Sequence, residues 1–382
     1  ADDSVYRRIE NSVRPLRLGR GAAPLELELP WRLQQPSLAT GGHMKGTLAL
    51  AWENRVVISP HIGEMDSPRS LDVFERTAAD LQALYGVTAE RLICDAHPGY
   101  TTHRWAMSQP LPTAPVFHHR AHASALAAES DLPGRWLVFT WDGVGFGEDG
   151  SLWGGEALVG AAGSWQRVAS MRPFRISGGD KAGREPWRSA AAMHWECGQD
   201  WDACPDQDHI ALTAWQKQIN SPQTSAVGRL FDAAAALITG KTHASFEAEG
   251  PMLLEAMCRK RREPAYLSLR PDKDGIWRSD WRPLLALLSD TERSPSLRAE
   301  IFHSSLALAL LQQARRIRDE YNIDWVGLAG GVFQNRFLTE HVIDLLMRND
   351  FSVKLATRLP CNDAAISFGQ AAEIAALDRI GH

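Results

Sequence analysis

Residues 135–163, RWLVFTWDGVGFGEDGSLWGGEALVGAAG, decide the fold. The apolar and aromatic run from Trp136 to Trp141 reads as a buried strand. Gly143 to Gly150 reads as a glycine-rich turn, and SLWGGEALVGAAG as the partner strand. The same plan stands earlier in the chain. TLALAW from Thr47 and VVISPHIG from Val56 are two β-rich runs around the polar turn Glu53-Asn54-Arg55. Each half therefore opens with a hairpin whose turn is expected to face a site. This predicts an internal structural duplication, although no residue-level repeat is visible.

Outward from these hairpins, strand and helix patterns alternate. SLDVFERTAADLQALYG is helical, with Ser70 as expected N-cap and Gly86 as stop. RLICDAHP is a short strand, and helices follow near Thr101 and from His118 or His119. The second half runs through the helical SAVGRLFDAAAALITG and PSLRAEIFHSSLALALLQQARRIRDEYN. It then returns to a strand, WVGLAGG, a helix after Asn335, a strand, FSVKLAT, and a last helix from Asp363 to Leu377. Such alternation specifies an α/β protein. The expected division is a first lobe over 39–134 and a second lobe with a helical insertion over 135–382, enclosing a cleft. The final helix is a candidate to pack back on the first lobe. Residues 1–38, with prolines at 15, 24, 30 and 36, read as an extension or linker carrying one edge strand. Regular structure is expected from Gly41-Gly42.

The length of 382 residues exceeds one ordinary core. Hydrophobic content of 44% with 23% charged residues is that of a soluble globular protein. With 41 basic against 46 acidic residues, the net charge of −5 argues against a general nucleic-acid binder. The five cysteines form no C-x-x-C pair and suggest no disulfide framework, so a reduced, cytoplasmic protein is expected. No signal peptide is expected, because the first residues carry no apolar core. No membrane span is expected either, because no run approaches ~20 apolar residues.

Three constellations carry chemistry. His118 and His122 are four apart, so on a helix both imidazoles leave one face and can share an ion. That spacing equally describes histidines that merely hydrogen-bond. Asp142 at a strand end and Asp363 at a helix start point into the mouth of an α/β cleft. Singly, each also suits turn chemistry or capping. Together the four make a His₂Asp₂ set suited to Fe²⁺ or Zn²⁺. The second constellation is phosphate handling. Gly143, Gly145 and their neighbours, and Gly330-Gly331, follow buried strands, where backbone amides can approach an anion. The third is SGGDKAGREPWRSA, whose Lys181, Arg184 and Arg188 suit a small anionic substrate or a solvated basic loop. His61 and His97, each in a loop after a strand, are candidates for proton transfer.

Read together, SPHIGEMDS, CDAHPGYTTHRWA, FHHRAHASA, WDGVGFGEDGSLWGGE, SGGDKAGREPWRSA, AVGRLFDAAAALITG, SFEAEGP and LAGGVFQNRFLTE resemble the C-terminal half of the hydrogenase-maturation carbamoyltransferases (HypF). They run in order from about residue 40 to the C-terminus. The resemblance implies an actin/sugar-kinase/Hsp70-like duplicated fold, two lobes around a nucleotide cleft. It implies ATP and a divalent metal, Fe²⁺ or Zn²⁺ on His118, His122, Asp142 and Asp363, with Mg²⁺ a further option on the nucleotide. Adenosine would lie against Gly330, Gly331 and Asn335, with Asp232, Gly250 and Glu255 near the ribose. Lys45, in Lys45-Gly46-Thr47 where the family has K-N-T, becomes a candidate carbamoyl contact.

In the family, carbamoyl phosphate and ATP give carbamoyl adenylate, and the carbamoyl group passes to the C-terminal cysteine of the partner HypE. It ends as the cyanide ligands of a NiFe centre. Residues 1–38 resemble the tail of a YrdC-like module. The acylphosphatase-like module, the C-x-x-C zinc elements and the main body of the YrdC-like module are not in these 382 residues. The family assigns adenylate formation to that YrdC-like module, so these residues are expected to be either a piece of a longer protein or a short form that completes the chemistry differently. The rival expectations are an O-carbamoyltransferase acting on a small hydroxylated molecule, and a non-catalytic partner-binding module.

Overall fold

The computed structural model describes residues 2–130 and 134–380. The first lobe is built on β1 (Val5–Ile9), β2 (Ser12–Arg17), β3 (Leu25–Glu28), β4 (Ser37–Ala39), β5 (Ala49–Trp52) and β6 (Arg55–Ile58). It continues with α1 (Pro68–Tyr85), β7 (Arg91–Asp95), α2 (Thr101–Ser108), β8 (Thr113–Val116) and α3 (His118–Ser130). The second lobe opens with β9 (Trp136–Phe146), β10 (Leu152–Gly160), β11 (Gln166–Met171) and β12 (Phe174–Arg175). Next come α4 (Trp187–Glu196), α5 (Ile210–Gln216), β13 (Gln223–Thr224), α6 (Val227–Thr239) and α7 (Glu249–Met257). After them stand β14 (Leu269–Pro271), β15 (Trp277–Ser279), α8 (Pro283–Ser289) and α9 (Pro295–Tyr321). The lobe closes with β16 (Trp325–Ala329), α10 (Arg336–Met347), β17 (Ser352–Leu355) and α11 (Ile366–Ile380).

The duplication is written in the strand order. In the first lobe β6-β5-β4-β7-β8 are neighbours, and in the second β11-β10-β9-β16-β17 are. In both, the three strands of the meander are antiparallel and the last two run parallel to the central one. This is the duplicated actin/sugar-kinase/Hsp70-like plan. Each fifth strand feeds a helix, and the two helices are exchanged between lobes. Ala123, Leu126 and Ala127 of α3 pack with Trp136, Val138 and Ala329 of the second sheet. Ile366, Phe368, Ala371 and Ala375 of α11 pack with Ala39, Ala49, Val56 and Ile58 of the first. The helices cross so closely that a Cβ at Gly369 would lie 1.9 Å from the Ala121 carbonyl oxygen. Only glycine fits there.

Several expectations are corrected. The Ser67 hydroxyl, not Ser70, caps α1 and accepts from the Ser70 amide, with Pro68 at the first helical position. Gly86 ends the helix in the left-handed region, as expected. Strand β9 runs on through Gly143 and Gly145 to Phe146, so the tight turn is Gly147–Ser151. Pairing with β10 overrides the glycine signature there. The β5–β6 turn faces away from the cleft: Glu53 and Asn54 accept from Leu33 and Leu29. The β4–β5 connection faces it instead, with the Thr47 hydroxyl donating to the Ala364 carbonyl at 2.9 Å.

Residues 1–38 are no linker. β3 pairs with β6, and β4 lies inside the sheet between β5 and β7. Leu18, Leu27, Leu29 and Leu33 enter the first-lobe core. The β1–β2 ribbon reaches the second lobe, Arg7 bonding the Gln334 carbonyl at 3.0 Å and Arg14 the Leu355 carbonyl at 3.2 Å. Pro15 is tolerated because the ribbon has free edges. Among the described residues no helix is long and apolar enough to cross a membrane.

Candidate metal centre and nucleotide cleft

The exchanged helices start beside each other. His118 opens α3, and His122 lies one turn on. Asp363 begins a short 3-10 turn that runs into α11, with the Asn362 side chain capping it by accepting from the Ala364 amide at 3.0 Å. Asp142, on β9, completes the set. His118 Nε2 lies 3.3 Å from Asp142 Oδ2 and 3.6 Å from Asp363 Oδ1. His122 Nε2 lies 3.1 and 3.5 Å from the same two oxygens. All four ligand atoms fall within 4.8 Å of one another. An ion with bonds of about 2.0–2.2 Å sets its adjacent ligands roughly 3–3.5 Å apart, so the group could hold one.

The donor chemistry fits as well. Buried Asp95 places Oδ2 2.7 Å from His118 Nδ1, which draws the ring proton to that side and leaves Nε2 a lone pair facing the cluster. Asp142 Oδ1 accepts from the Gly143 amide at 2.8 Å and the Gly331 amide at 3.2 Å. Its other oxygen is thereby aimed at the histidines.

Burial is the largest influence on every ionisable member. For His118 it opposes the imidazolium, but Asp363, Asp95 and Asp142 outweigh it and hold the pKa well above the ordinary value. His122 is raised in the same way, chiefly by hydrogen bonds to Asp142 and Asp363. Burial works against the Asp142 carboxylate, yet His118 and His122 hold it well below the usual range. Asp363 is lowered too, against both burial and Asp142. A cation binding there would displace the Nε2 protons and meet two carboxylates and two neutral imidazoles. His119 points away, fully buried, with neither ring nitrogen hydrogen-bonded. Burial and the two neighbouring histidines push its pKa well down.

The residues expected at the nucleotide are placed as follows. Gly143 and Gly145 lie on β9, Gly145 passing against the His118 and His119 rings. Gly330 has φ 98°, whereas Gly331, beside Asp142, is not in the left-handed region. Asn335 caps α10, its Oδ1 accepting from Leu338 at 2.9 Å and its amide meeting His303 Nε2 at 2.9 Å. Asp232 on α6 pairs with Arg229 at 2.9 Å, and burial pushes its carboxyl up to about 6. Gly250 lets α7 approach Ala235 of α6. Glu255 accepts from Arg7 at 2.5 Å and from the Arg336 amide at 2.8 Å.

The basic and imidazole candidates are more dispersed. Lys45 Nζ reaches both oxygens of Glu247, at 2.5 and 2.6 Å. Arg184 meets Asp66 at 3.3 Å, and Arg188 meets Glu185 at 2.6 Å. Lys181, in the 3-10 turn Gly179–Gly183, is exposed and makes no side-chain bond among the described residues. His97 stacks on Tyr100 at 4.2 Å and accepts from the Gly99 amide. His61 lies under the N-terminal segment, its amide bonded to the Leu18 carbonyl. Burial, then Arg17, lowers its pKa.

Sequence reasoning missed Asp95, although it ends a strand just as Asp142 was expected to. It also missed His43, whose Nε2 lies 2.6 Å from Asp66 and whose ring also stacks with Tyr100. Glu156 was missed as well. Fully buried, it accepts from the Gly155 amide at 2.6 Å and from Arg167 at 2.9 Å, and so fixes the inner strand beside His119. A glutamate after Gly-Gly in a strand carries no signal of its own.

Residues 138–370 match the family model described as the carbamoyltransferase Kae1-like domain, second subdomain, and residues 32–129 match the HypF Kae1-like domain. The chain is 34% identical to the carbamoyltransferase HypF of Synechocystis sp., over 97% of this chain and 51% of that protein. It is 32% identical to a carbamoyltransferase HypF homolog of Cupriavidus necator, over 88% of this chain and 90% of that protein. A crystal structure of full-length HypF in the phosphate- and nucleotide-bound form superposes with a TM-score of 0.91 at 30% identity, covering 99% of this chain and 51% of that one. Against the full-length HypF proteins, then, the chain spans about half their length. It belongs to the HypF carbamoyltransferase family, whose Kae1-like part it matches.

Proposed function

We propose that this chain is the carbamoyl-transfer centre of a HypF-type enzyme. It would hold ATP or its adenylate in the cleft and pass a carbamoyl group, drawn from carbamoyl phosphate, to the C-terminal cysteine of a HypE-like acceptor in NiFe-hydrogenase maturation. One observation carries this: His118, His122, Asp142 and Asp363 converge where α3 and α11 cross, and Asp142 is tied to the amides of both glycine elements. The relative solved with phosphate and nucleotide bound shares the fold over the whole chain, which supports a nucleotide in this cleft.

Fe²⁺ or Zn²⁺ held by those four side chains would neutralise phosphate charge and polarise the bond to the carbamoyl group. Asp95 keeps the His118 lone pair turned inward. Lys45, Arg184, Arg188 and the exposed Lys181 would supply positive charge for the phosphate. His97, against Tyr100, would carry a proton at the cleft, and His61, whose amide bonds the Leu18 carbonyl, is the second candidate for that role. In the transfer step the acceptor thiolate attacks the carbamoyl carbon. A carbon–sulfur bond forms, the bond from that carbon to the phosphate oxygen breaks, and AMP leaves with the electron pair. The nucleophile would come from the acceptor, since burial pushes the thiols of Cys94, Cys258 and Cys361 up to about 12 and raises those of Cys197 and Cys204 as well.

The test supplies the protein with Fe²⁺ or Zn²⁺, a peptide ending in the acceptor cysteine, and either carbamoyl adenylate or carbamoyl phosphate plus ATP. Carbamoylated peptide by mass spectrometry is expected with the adenylate. If no carbamoylated peptide forms, no phosphate is released and ATP does not bind, the assignment is wrong.

A further inference from the structure

The cations expected to seat an anionic substrate are, Lys181 apart, already covered by carboxylates of the same chain. Lys45 faces Glu247, Arg184 faces Asp66, and Arg188 faces Glu185. Arg229, which also bonds the Ala182 carbonyl beneath the basic loop, faces Asp232. Two of these pairs join the lobes. Lys45 belongs to the β4–β5 connection and Glu247 to the loop between α6 and α7, while Asp66 precedes α1 and Arg184 closes the 3-10 turn Gly179–Gly183.

The Lys45–Glu247 pair is built with care. Both carboxylate oxygens meet the ammonium, at 2.5 and 2.6 Å. Lys45 has φ 50° and Ala248, directly after Glu247, has φ 60°. Non-glycine residues adopt that region rarely, so the surrounding structure holds both loops in it. A Cβ on Gly42, in the same β4–β5 connection as Lys45, would lie 3.8 Å from both Asp363 Oδ2 and the His118 ring, so this connection passes beside the four-ligand cluster. An anion bound between that cluster and Lys45 would meet Glu247 in its seat.

We propose that Glu247 is a built-in occupant of the Lys45 anion seat. A phosphate-bearing substrate then binds by ion-pair exchange, displacing Glu247 from Lys45 and, across the cleft, Asp66 from Arg184. This rests on the proposed function, which gives Lys45 and Arg184 to carbamoyl phosphate. The exchange sets a charge requirement. A monocarboxylate trades one pair for an equal one, whereas a phosphate dianion engages two cations at once. Glu247 is therefore a selectivity residue, and Asp66 is its counterpart on the other lobe.

Isothermal titration of the metal-loaded chain tests this, with carbamoyl phosphate and inorganic pyrophosphate as separate probes. The proteins are the wild type, Glu247→Gln, Asp66→Asn, Lys45→Ala and the Glu247→Gln/Lys45→Ala double variant. Glu247→Gln is expected to tighten both probes about three- to fivefold at low salt, the range of a partly exposed ion pair. The gain should shrink at about 0.5 M salt and vanish in the Lys45→Ala background. Asp66→Asn should tighten binding in the same direction, and it decides the matter if Glu247→Gln fails to fold. If Lys45→Ala weakens binding while Glu247→Gln leaves it unchanged or weaker, the exchange is refuted and the substrate assignment stands. If Glu247→Gln tightens pyrophosphate but carbamoyl phosphate binds none of the proteins, the exchange stands and the substrate assignment is refuted.

Discussion

Replacing Asp95 by asparagine is the most discriminating perturbation of the centre, because it changes charge and hydrogen-bond polarity without changing shape. Asp95 ends β7, is fully buried, and does two things at once. Oδ2 lies 2.7 Å from His118 Nδ1, and Oδ1 accepts from the His97 amide at 2.9 Å. An asparagine can keep only one of these. With its oxygen on His97, its NH₂ faces Nδ1, which must then accept; the ring proton moves to Nε2 and points at the ion. With the amide turned over, two donors meet at His97. Supporting carboxylates of this kind contribute a factor of 10–100 to metal affinity, or about 1.4–2.7 kcal/mol. The assay is a competition titration of Zn²⁺ or Fe²⁺ against a chromophoric chelator, with thermal melts in chelator as a folding control. Asp95→Asn should bind one to two orders of magnitude more weakly than wild type while Asp363→Asn loses more. Affinity within twofold of wild type would show that His118 is not a ligand through Nε2, or that no ion binds here.

Four further outcomes follow from named contacts. The Asp232 carboxyl is raised to about 6 by burial against the help of Arg229, so the folded chain holds a proton that the unfolded chain would release. Stability should therefore fall as pH rises from about 4 to about 6 and then level off, by up to roughly 3 kcal/mol; denaturation at stepped pH checks this, and the slope should disappear in Asp232→Asn. Gly330→Ala should cost at least about 1–3 kcal/mol and lower the melting temperature, since φ is 98° and the new Cβ would lie 2.2 Å from the Trp141 carbonyl oxygen. Gly331→Ala, free of that strain but with its Cβ 2.9 Å from Asp142 Oδ1, should fold and lose metal affinity in the same titration. Asn335→Ala removes the α10 cap and the His303 bond and should cost about 1–2 kcal/mol in denaturant melts, whatever it does to nucleotide.

The sequence was legible wherever a residue type and its neighbours pointed the same way. The apolar runs of β5, β6, β9 and β16 and the periodic α1 and α9 needed only local patterning. The i,i+4 pair His118 and His122 converged in space with Asp142 and Asp363, although Asp142 lies within β9 and not at the strand end expected of it. What failed did so because tertiary pairing decided it. β4 is three residues long and is a strand only because β5 and β7 flank it. Gly143 and Gly145 have turn chemistry but sit in β9, since β10 pairs with them. The Gly331 amide, expected to meet a phosphate, donates to Asp142 Oδ1, a contact that the spacing of the two residues does not reveal. Asp66, Glu247 and Glu156 were invisible because their partners lie 118, 202 and 11 residues away in sequence. No local pattern encodes such distances.

The helix exchange explains why the centre lies where it does and why neither half could carry it. α3 leaves the first sheet and lies on the second, and α11 does the reverse. Their crossing at Gly369 and Ala121 brings both N-terminal ends to one spot. Each N-terminus carries the positive end of a helix dipole, which lowers the cost of collecting Asp142 and Asp363 there and favours any further anion. The first half of the chain supplies two imidazoles, and the second supplies two carboxylates. Two ligands on one element seldom suffice for a firm site, whereas four from α3, β9 and the start of α11 define one only when both lobes are folded and the helices have crossed. Occupation of the centre and docking of the lobes are thus the same event in energetic terms, since whatever binds all four residues binds the assembled form in preference to any other.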